Sequence, residues 1–251
     1  MKIQQIRNAT LKITYGALTF LIDPWLQDKG SGFSAPTLRP EMAGLKTPLN
    51  DLPFSPEQVL AGVDHCLVTH IHPDHFTLEY LPKGIPLIVQ DEADRNTAAG
   101  MGFTDISFFK EPAMTFGDVT IHRVPALHGD NAMLAEMMGR VSGYVLQGEE
   151  KTLYIAGDTV YYPGVEATLE AYRPDVIAVN CCAAAFDAGR LIMDLKDIEA
   201  VCRRSPEAIV IATHLDSVNH ALLTSDDVRA FAAEKGLGQI QIPANGDIIK
   251  A

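Results

Sequence analysis

The segment Val68–Phe76 reads V-T-H-I-H-P-D-H-F and places three histidines and one aspartate within six residues. The apolar run before it is typical of a buried strand, and the proline that follows fits the first turn of a helix. Side chains two residues apart in an extended segment point the same way, so His70 and His72 can reach one point. Asp74 and His75 can reach a second point nearby. Imidazole and carboxylate together suit zinc, iron or manganese, so this stretch predicts a metal site at a strand end.

A single histidine beside a strand is more often a structural residue than a ligand, but four ligand-type residues at this density are hard to explain in that way. The pattern H-x-H-x-D-H resembles the signature of the metallo-β-lactamase superfamily. The resemblance implies a four-layer αββα sandwich of the α+β class, with residues 1–251 forming one domain.

Three later strand ends fit the same resemblance. His128 follows an apolar strand and, on its own, is equally well a ligand or a loop residue. Asp158 lies in a G-D-T turn after another strand, and His214 follows a third. The resemblance implies two metal ions, zinc or manganese, with Asp158 bridging them and Asp23 supporting the site. The first ion would be held by His70, His72 and His128, and the second by Asp74, His75 and His214.

The chemistry implied by this resemblance is hydrolysis by a metal-bridging hydroxide. The substrate would be an ester, lactone, amide or phosphoester, with Asp74 and His214 as catalytic residues. Two alternatives stay open: an iron-dependent oxidoreductase on the same fold, similar to sulfur dioxygenases, and a non-catalytic metal or ligand binder. The complete second ligand set argues against both.

Four further features resemble the UlaG-like group, which is related to ascorbate-phosphate lactonase. These are the D-P-W motif at residues 23–25, a long proline-rich loop, the Asn219-His220 pair after the last ligand, and P-A-N-G-D at residues 243–247. The phosphate-binding residues of that lactonase cannot be matched here, so its substrate is not predicted.

The proline-rich loop covers about residues 24–56 and is too long for an ordinary connection in a compact domain. Its several large apolar side chains make it too apolar for simple disorder. We therefore predict an ordered flap over the site, the alternative being an extended segment packed far from the metal.

Candidate substrate contacts are chosen for their position near the strand ends or in this loop. They are Tyr161 and Tyr162 after the G-D-T turn, Asn180 at the end of the next strand, Asn219, His220, and Trp25. The alternative for the two tyrosines is that they only cap the following helix. Cys181 and Cys182 are interpreted as packing residues, and His65 and His122 as structural.

Composition limits the partners and the cellular location that the sequence allows. The formal net charge of −12 argues weakly against nucleic acid as a partner, because phosphate binding needs basic surface. The first residues lack the apolar core of a signal peptide, and no apolar run approaches a membrane span. Four cysteines without C-x-x-C spacing are typical of reduced thiols. We therefore expect a cytoplasmic protein with a small-molecule substrate and no membrane partner, and homo-oligomerisation is left open.

Two local predictions concern the segments around these motifs. Residues 76–81 are predicted to form a short helix after the ligand cluster. Residues 240–242 and 247–249 are predicted to close the chain as a hairpin over Asn245-Gly246.

Overall fold

The computed structural model describes residues 1–251, which form sixteen strands and six α-helices. The strands are β1 (Lys2–Arg7), β2 (Thr10–Tyr15), β3 (Leu18–Ile22), β4 (His65–Leu67), β5 (Leu87–Val89), β6 (Ile106–Phe108), β7 (Ala113–Phe116), β8 (Val119–Pro125), β9 (Ser142–Gln147), β10 (Leu153–Ile155), β11 (Val176–Asn180), β12 (Ala185–Phe186), β13 (Gly189–Arg190), β14 (Ile209–Thr213), β15 (Ile240–Gln241) and β16 (Ile248–Lys250). The helices are α1 (Pro56–Leu60), α2 (Glu92–Gly100), α3 (Ala132–Met138), α4 (Pro163–Tyr172), α5 (Leu195–Arg204) and α6 (Ser225–Lys235).

Two seven-stranded sheets form the centre of the molecule. The first has the strand order β16-β1-β2-β3-β4-β5-β6, and the second has the order β15-β14-β11-β10-β9-β8-β7. In the first sheet β3, β4, β5 and β6 run parallel to one another. In the second sheet β10, β11, β14 and β15 do the same. Parallel strands end at the same edge of a sheet, so the loops that follow them are brought together there.

Alternating side chains divide the interior into three apolar layers. In β11, Val176 and Ala178 point between the sheets, whereas Ile177 and Val179 point to the opposite face. That outer face is covered by helices α4, α5 and α6. The outer face of the first sheet is covered in the same way by α1 and α2. Two sheets face to face, each covered by helices, form the predicted four-layer αββα sandwich.

Helix starts follow the side-chain chemistry of the sequence. Ser55 and Gln58 form a reciprocal capping box at α1, with Pro56 in the first turn. Thr224 and Asp227 form the same arrangement at α6, as the sequence predicts. These caps satisfy backbone N–H groups that the first helical turn leaves without partners.

Both local predictions made above are wrong. Residues 76–81 form turns and bends instead of a helix. The last two strands do not form a hairpin, because β15 pairs in parallel with β14 in the second sheet. β16 crosses to the first sheet and pairs antiparallel with β1, where Lys2 faces Lys250. The pairing partner of each strand is non-local, and local turn residues could not reveal it.

The segment of residues 24–56 is an ordered loop whose only regular element before α1 is a 3₁₀ turn at Pro40–Met42. The Arg7 guanidinium is buried beneath it and donates hydrogen bonds to the carbonyls of Trp25 (2.8 Å), Gln27 (2.8 Å) and Asn50 (3.2 Å). One side chain therefore holds both ends of this loop, which we call the flap.

None of the helices combines the length and the apolar character needed to cross a membrane.

Candidate metal centre

The predicted ligands come together at one edge of the sandwich, between the two sheets. The first sheet contributes the loop after β4, and the second contributes the loops after β8, β10 and β14. Backbone strain is concentrated here, since Asp23 (φ 44°) and His214 (φ 63°) occupy the left-handed region. Gly157 has φ 68°, and a Cβ on it would lie 2.8 Å from the Ser142 carbonyl oxygen. The G-D-T turn therefore needs glycine at this position.

The first group of donors consists of His70, His72 and His128, whose nitrogens lie within 4.8 Å of one another. His70 Nε2 is 2.9 Å from His72 Nδ1. His128 donates its Nδ1–H to the Leu191 carbonyl at 3.0 Å, which leaves Nε2 as the free nitrogen. Three convergent imidazoles form a donor set suited to zinc or a similar cation.

The second group consists of Asp74, His75 and His214. His214 Nε2 lies 3.2 Å from Asp74 Oδ2 and 3.2 Å from His75 Nε2. These residues are all buried, so the carboxylate and the imidazoles face one another without intervening protein groups.

Asp158 lies between the two groups. Its Oδ2 is 3.2 Å from His75 Nε2 and 3.4 Å from His128 Nε2, so one oxygen contacts both donor sets. Asn180 donates from Nδ2 to Asp158 Oδ1 at 2.6 Å and fixes the orientation of this carboxylate. The predicted substrate contact Asn180 is thus a partner of Asp158.

Asp23 holds the ligand loop from beneath. It accepts hydrogen bonds from Thr69 N (2.7 Å), Thr69 Oγ1 (2.8 Å) and His75 Nδ1 (2.8 Å). His70 Nδ1 lies 2.9 Å from Thr69 Oγ1, which is already donating to Asp23 and therefore accepts. Both imidazoles are thereby fixed with Nε2 as the free nitrogen, the tautomer that ligation at Nε2 requires.

The charges of the centre call for cations. Histidines are the only basic side chains within 4.0 Å of the carboxylates of Asp23, Asp74 and Asp158. Burial would raise the pKa of Asp74 and Asp158, but nearby His75 and His214 hold it below the usual value. Burial disfavours the charged form of His75, yet Asp158, Asp23 and Asp74 outweigh it and raise its pKa to about 10. In the absence of metal, protons on histidine neutralise these carboxylates.

Burial, reinforced by neighbouring imidazoles, lowers the pKa of His70, His72 and His128. These three residues are therefore neutral near pH 7, as metal ligation requires. The donor set fits divalent metal in both residue type and charge, because divalent ions can replace the protons of the second group.

A cavity of about 190 Å³ opens beside this centre. Its polar lining consists of His72, Asp74, His128, Asp158 and His220. The rest of the lining is mostly apolar and consists of Phe33, Ala35, Pro73, Met138, Ala184, Phe186 and Leu191. Phe33 and Ala35 belong to the flap, which therefore forms one wall of the cavity.

Of the predicted substrate contacts, His220 alone lines this cavity. Trp25 is fully buried, packs in the core and donates from its indole to Gln27 Oε1, so its prediction is wrong. Tyr162 is the N-cap residue of α4, and Tyr161 donates its backbone N–H to Asp197. Both tyrosines pack against the core, as the alternative interpretation proposed.

Asn219 binds the flap instead of the cavity. Its Nδ2 donates to the Ala35 carbonyl at 2.8 Å, and its Oδ1 accepts from the Ala35 N–H at 3.1 Å. His65 packs against Phe20 and Phe116 away from the site, and His122 packs against Tyr172, so both are structural as predicted.

Two contacts of the centre escaped the sequence analysis. Asn8, at φ 54° between β1 and β2, places Nδ2 3.1 Å from His214 Nε2 and donates to the Asp74 carbonyl at 3.1 Å. Cys182 Sγ lies 3.5 Å from His214 Nδ1, so this thiol contacts a candidate ligand in addition to packing in the core. No sequence signal links residues 8 and 182 to residue 214, because the contacts arise between segments that are distant in the chain and meet only in the folded structure.

An αββα sandwich with a histidine and aspartate centre between the ends of its two sheets defines a protein of the metallo-β-lactamase fold. The family described as "Beta-lactamase superfamily domain" matches residues 19–215 of this chain. The chain belongs to this superfamily, among relatives that carry the name UPF0173 metal-dependent hydrolase.

Sequence similarity to individual proteins extends over nearly the whole chain. The UPF0173 protein YddR of Bacillus subtilis (strain 168) is 37% identical over 254 residues, which cover 98% of each chain. A solved isothiocyanate hydrolase from Delia radicum gut bacteria has a TM-score of 0.94 and 35% identity, covering 100% of this chain and 99% of that one. A possible metal-dependent hydrolase from Veillonella parvula DSM 2008 has a TM-score of 0.93 and 33% identity, covering 99% and 98%.

Proposed function

We propose that this metal-dependent hydrolase works with two divalent cations, zinc or manganese. His70, His72 and His128 would hold the first, and Asp74, His75 and His214 the second. Asp158 Oδ2 would bridge the two, because it already contacts histidines of both groups at 3.2 and 3.4 Å. Two such ions, when bound, lower the pKa of water and polarise the substrate's electrophilic group.

The protein's own groups would prepare the attacking water and exclude bulk solvent. Asp74 lines the cavity, and its buried carboxylate is a hydrogen-bond acceptor that can orient a water molecule. His214 lies 3.2 Å from Asp74 and fixes this carboxylate. Phe33 and Ala35 of the flap cover one side, so a bound substrate meets little bulk water.

The observation that carries the substrate proposal is the lining of the cavity, which contains no lysine or arginine. A charged phosphate or carboxylate would find no cationic side chain there, only the metal ions. This disfavours phosphoesters and the phosphorylated lactone of the UlaG-like group. The apolar walls instead favour a small neutral substrate with an electrophilic carbon, such as an ester, a lactone, an amide or an isothiocyanate.

Among these, we place isothiocyanates first, because the similar hydrolase from Delia radicum gut bacteria is named for that activity. Water adds its oxygen to the central carbon of R–N=C=S, and its two protons end on nitrogen. Cleavage of the carbon–nitrogen bond then releases the amine and carbonyl sulfide, which balances as R–NCS plus H₂O giving R–NH₂ plus COS. The apolar R group would lie against Phe186, Met138 and Leu191.

Metal analysis and a substrate panel test this proposal together. Protein purified without chelators should contain about two zinc or manganese ions per chain. It should hydrolyse benzyl isothiocyanate or 4-nitrophenyl acetate much faster than bis(4-nitrophenyl) phosphate, and chelation should abolish the activity. One iron per chain would favour the oxidoreductase alternative. Metal-loaded protein that hydrolyses none of the neutral substrates would refute the proposal.

A further inference from the structure

His220 lines the substrate cavity but belongs to neither group of candidate ligands. Its ring packs near two aromatic side chains, with centroid distances of 6.5 Å to Phe33 and 5.8 Å to Phe186. Its backbone carbonyl accepts a hydrogen bond from Ala185 N at 3.3 Å. The imidazole is therefore held by two aromatic side chains and from its backbone, although no protein group binds its nitrogens.

The two ring nitrogens have different surroundings. Nδ1 is fully buried and has no hydrogen-bond partner. Nε2 also lacks a protein partner, but it is not among the fully buried atoms, which leaves it facing the cavity that the ring lines. A buried N–H without an acceptor is rarer in proteins than an unpaired acceptor. The proton of the neutral ring therefore belongs on Nε2, where a ligand can accept it.

The ring stays neutral near pH 7, because burial lowers the pKa of His220 to about 4 despite the carboxylates of Asp74 and Asp158. A neutral imidazole can donate a hydrogen bond but has no proton to give up easily. It is thus suited to stabilise negative charge that develops on a substrate, as neutral donors do in oxyanion holes.

We propose that His220 is a catalytic residue whose Nε2–H donates a hydrogen bond to the heteroatom that gains charge when water attacks the substrate. For an isothiocyanate, this heteroatom is the nitrogen or sulfur beside the central carbon. The electron pair of the attacked double bond moves onto that atom. Both protons of the added water end on the nitrogen, directly or by way of the sulfur, before the carbon–nitrogen bond breaks. His220 keeps its own proton throughout. This assignment rests on the proposed hydrolysis of a neutral electrophile.

The residue before His220 connects this donor to the flap. Asn219 binds both the N–H and the carbonyl of Ala35, two residues after Phe33. Asn219 thereby fixes the flap wall that packs on the His220 ring. The Asn219-His220 pair, which follows the last candidate ligand in the sequence, thus places the flap and the donor together.

Two substitutions test the hydrogen-bond donor of His220 separately from the shape of its ring. His220→Phe keeps an aromatic ring but removes the donor, and should lower kcat for benzyl isothiocyanate by about 100-fold, with KM changed by less than about threefold. His220→Gln supplies an amide donor and should recover about tenfold of that loss. Metal content should match the unmodified protein in both. His122→Phe, in a strand outside the site, is the matched control and should leave kcat unchanged. Full activity of His220→Phe would overturn the proposal.

A second measurement does not depend on activity. Long-range ¹H–¹⁵N NMR of metal-loaded, ¹⁵N-labelled protein reports the tautomer of each histidine, and the signal missing in His220→Phe identifies His220. The expected result is a neutral ring protonated at Nε2 from pH 6 to 8. A ring protonated at Nδ1, or charged at pH 7, would overturn the donor assignment. Failure of the substrate panel with the expected tautomer would instead refute the reaction, and with it this role of His220.

Discussion

Replacing Asp23 by asparagine should weaken one metal position and spare the other. Asp23 is not a candidate ligand, but its Oδ2 accepts the Nδ1–H of His75 at 2.8 Å. In the variant, the amide oxygen of the new side chain can still accept the hydrogen bond from Thr69 N at the position of Oδ1. The amide nitrogen then occupies the position of Oδ2, which faces His75. An amide nitrogen has no lone pair to offer, so His75 must accept through Nδ1 and carry its proton on Nε2. The nitrogen that would bind the second ion is then blocked.

The size of this effect follows from the partners that Asp23 loses. Loss of the carboxylate that orients a metal-binding histidine typically lowers metal affinity by about 10- to 100-fold, or roughly 1.4–2.7 kcal/mol. His70 is less affected, because it donates to Thr69 Oγ1 and does not touch Asp23 directly. We therefore expect the first ion to bind within about threefold of its normal affinity and the second to bind about 10- to 100-fold more weakly.

Competition between metal-free protein and a chromogenic zinc chelator resolves the two binding steps. Asp64→Asn is a suitable control, since Asp64 also accepts a backbone N–H, that of Thr19 at 2.8 Å, but is exposed and outside the site. The control should bind both ions normally. Equal weakening of both steps by Asp23→Asn, or no change in either, would refute the reasoning about the His75 tautomer.

Three further outcomes are expected. Asp158→Ala should reduce metal content at both positions and abolish hydrolysis, whereas the control His122→Ala should keep full metal content. Elemental analysis measures the metal content of both variants, and full metal loading of Asp158→Ala would contradict the bridging role. The raised pKa of His75 in the metal-free protein stabilises the fold fully below its unfolded pKa of about 6.5, and this contribution is lost as the pH rises through about 10. Unfolding in urea should therefore show metal-free stability falling over that range, and a flat profile would contradict the charge analysis. Arg7→Met leaves three flap carbonyls without their hydrogen-bond donor, so it should lower the free energy of unfolding by about 3 kcal/mol and make the flap sensitive to limited proteolysis. The surface substitution Arg95→Met should change neither the stability nor the proteolysis.

The fold could be predicted from the sequence, and the candidate ligands could be chosen from it, because both depend on local patterns. His70, His72, Asp74 and His75 lie within one short stretch, and their spacing is set by one strand end. His128, Asp158 and His214 were found because each follows an apolar strand in the order typical of the superfamily. The structure brings all seven residues into the two groups and the connecting carboxylate described above.

Predictions failed where the answer depended on distant pairing. β15 and β16 look like two arms of a hairpin, yet each pairs with a strand of a different sheet. Trp25 was assigned to the cavity because it lies at the start of the flap, but its large apolar ring is buried in the core. Asn219 was assigned to substrate, although its amide binds the flap backbone. Neighbours along the chain cannot reveal which of two nearby surfaces a side chain will meet.

The division of the centre between the two sheets has a consequence for how the molecule can be taken apart. Every candidate ligand up to residue 75 comes from the first sheet, and every later one from the second. A break in the connection between β6 and β7, at residues 109–112, would give two fragments that each carry an incomplete set of donors. The cations would then act as connectors between two chains, so that reassembly of the fragments should depend on metal concentration and be reversed by a chelator. The same centre that we propose for hydrolysis would thus make the association of the two fragments metal-dependent.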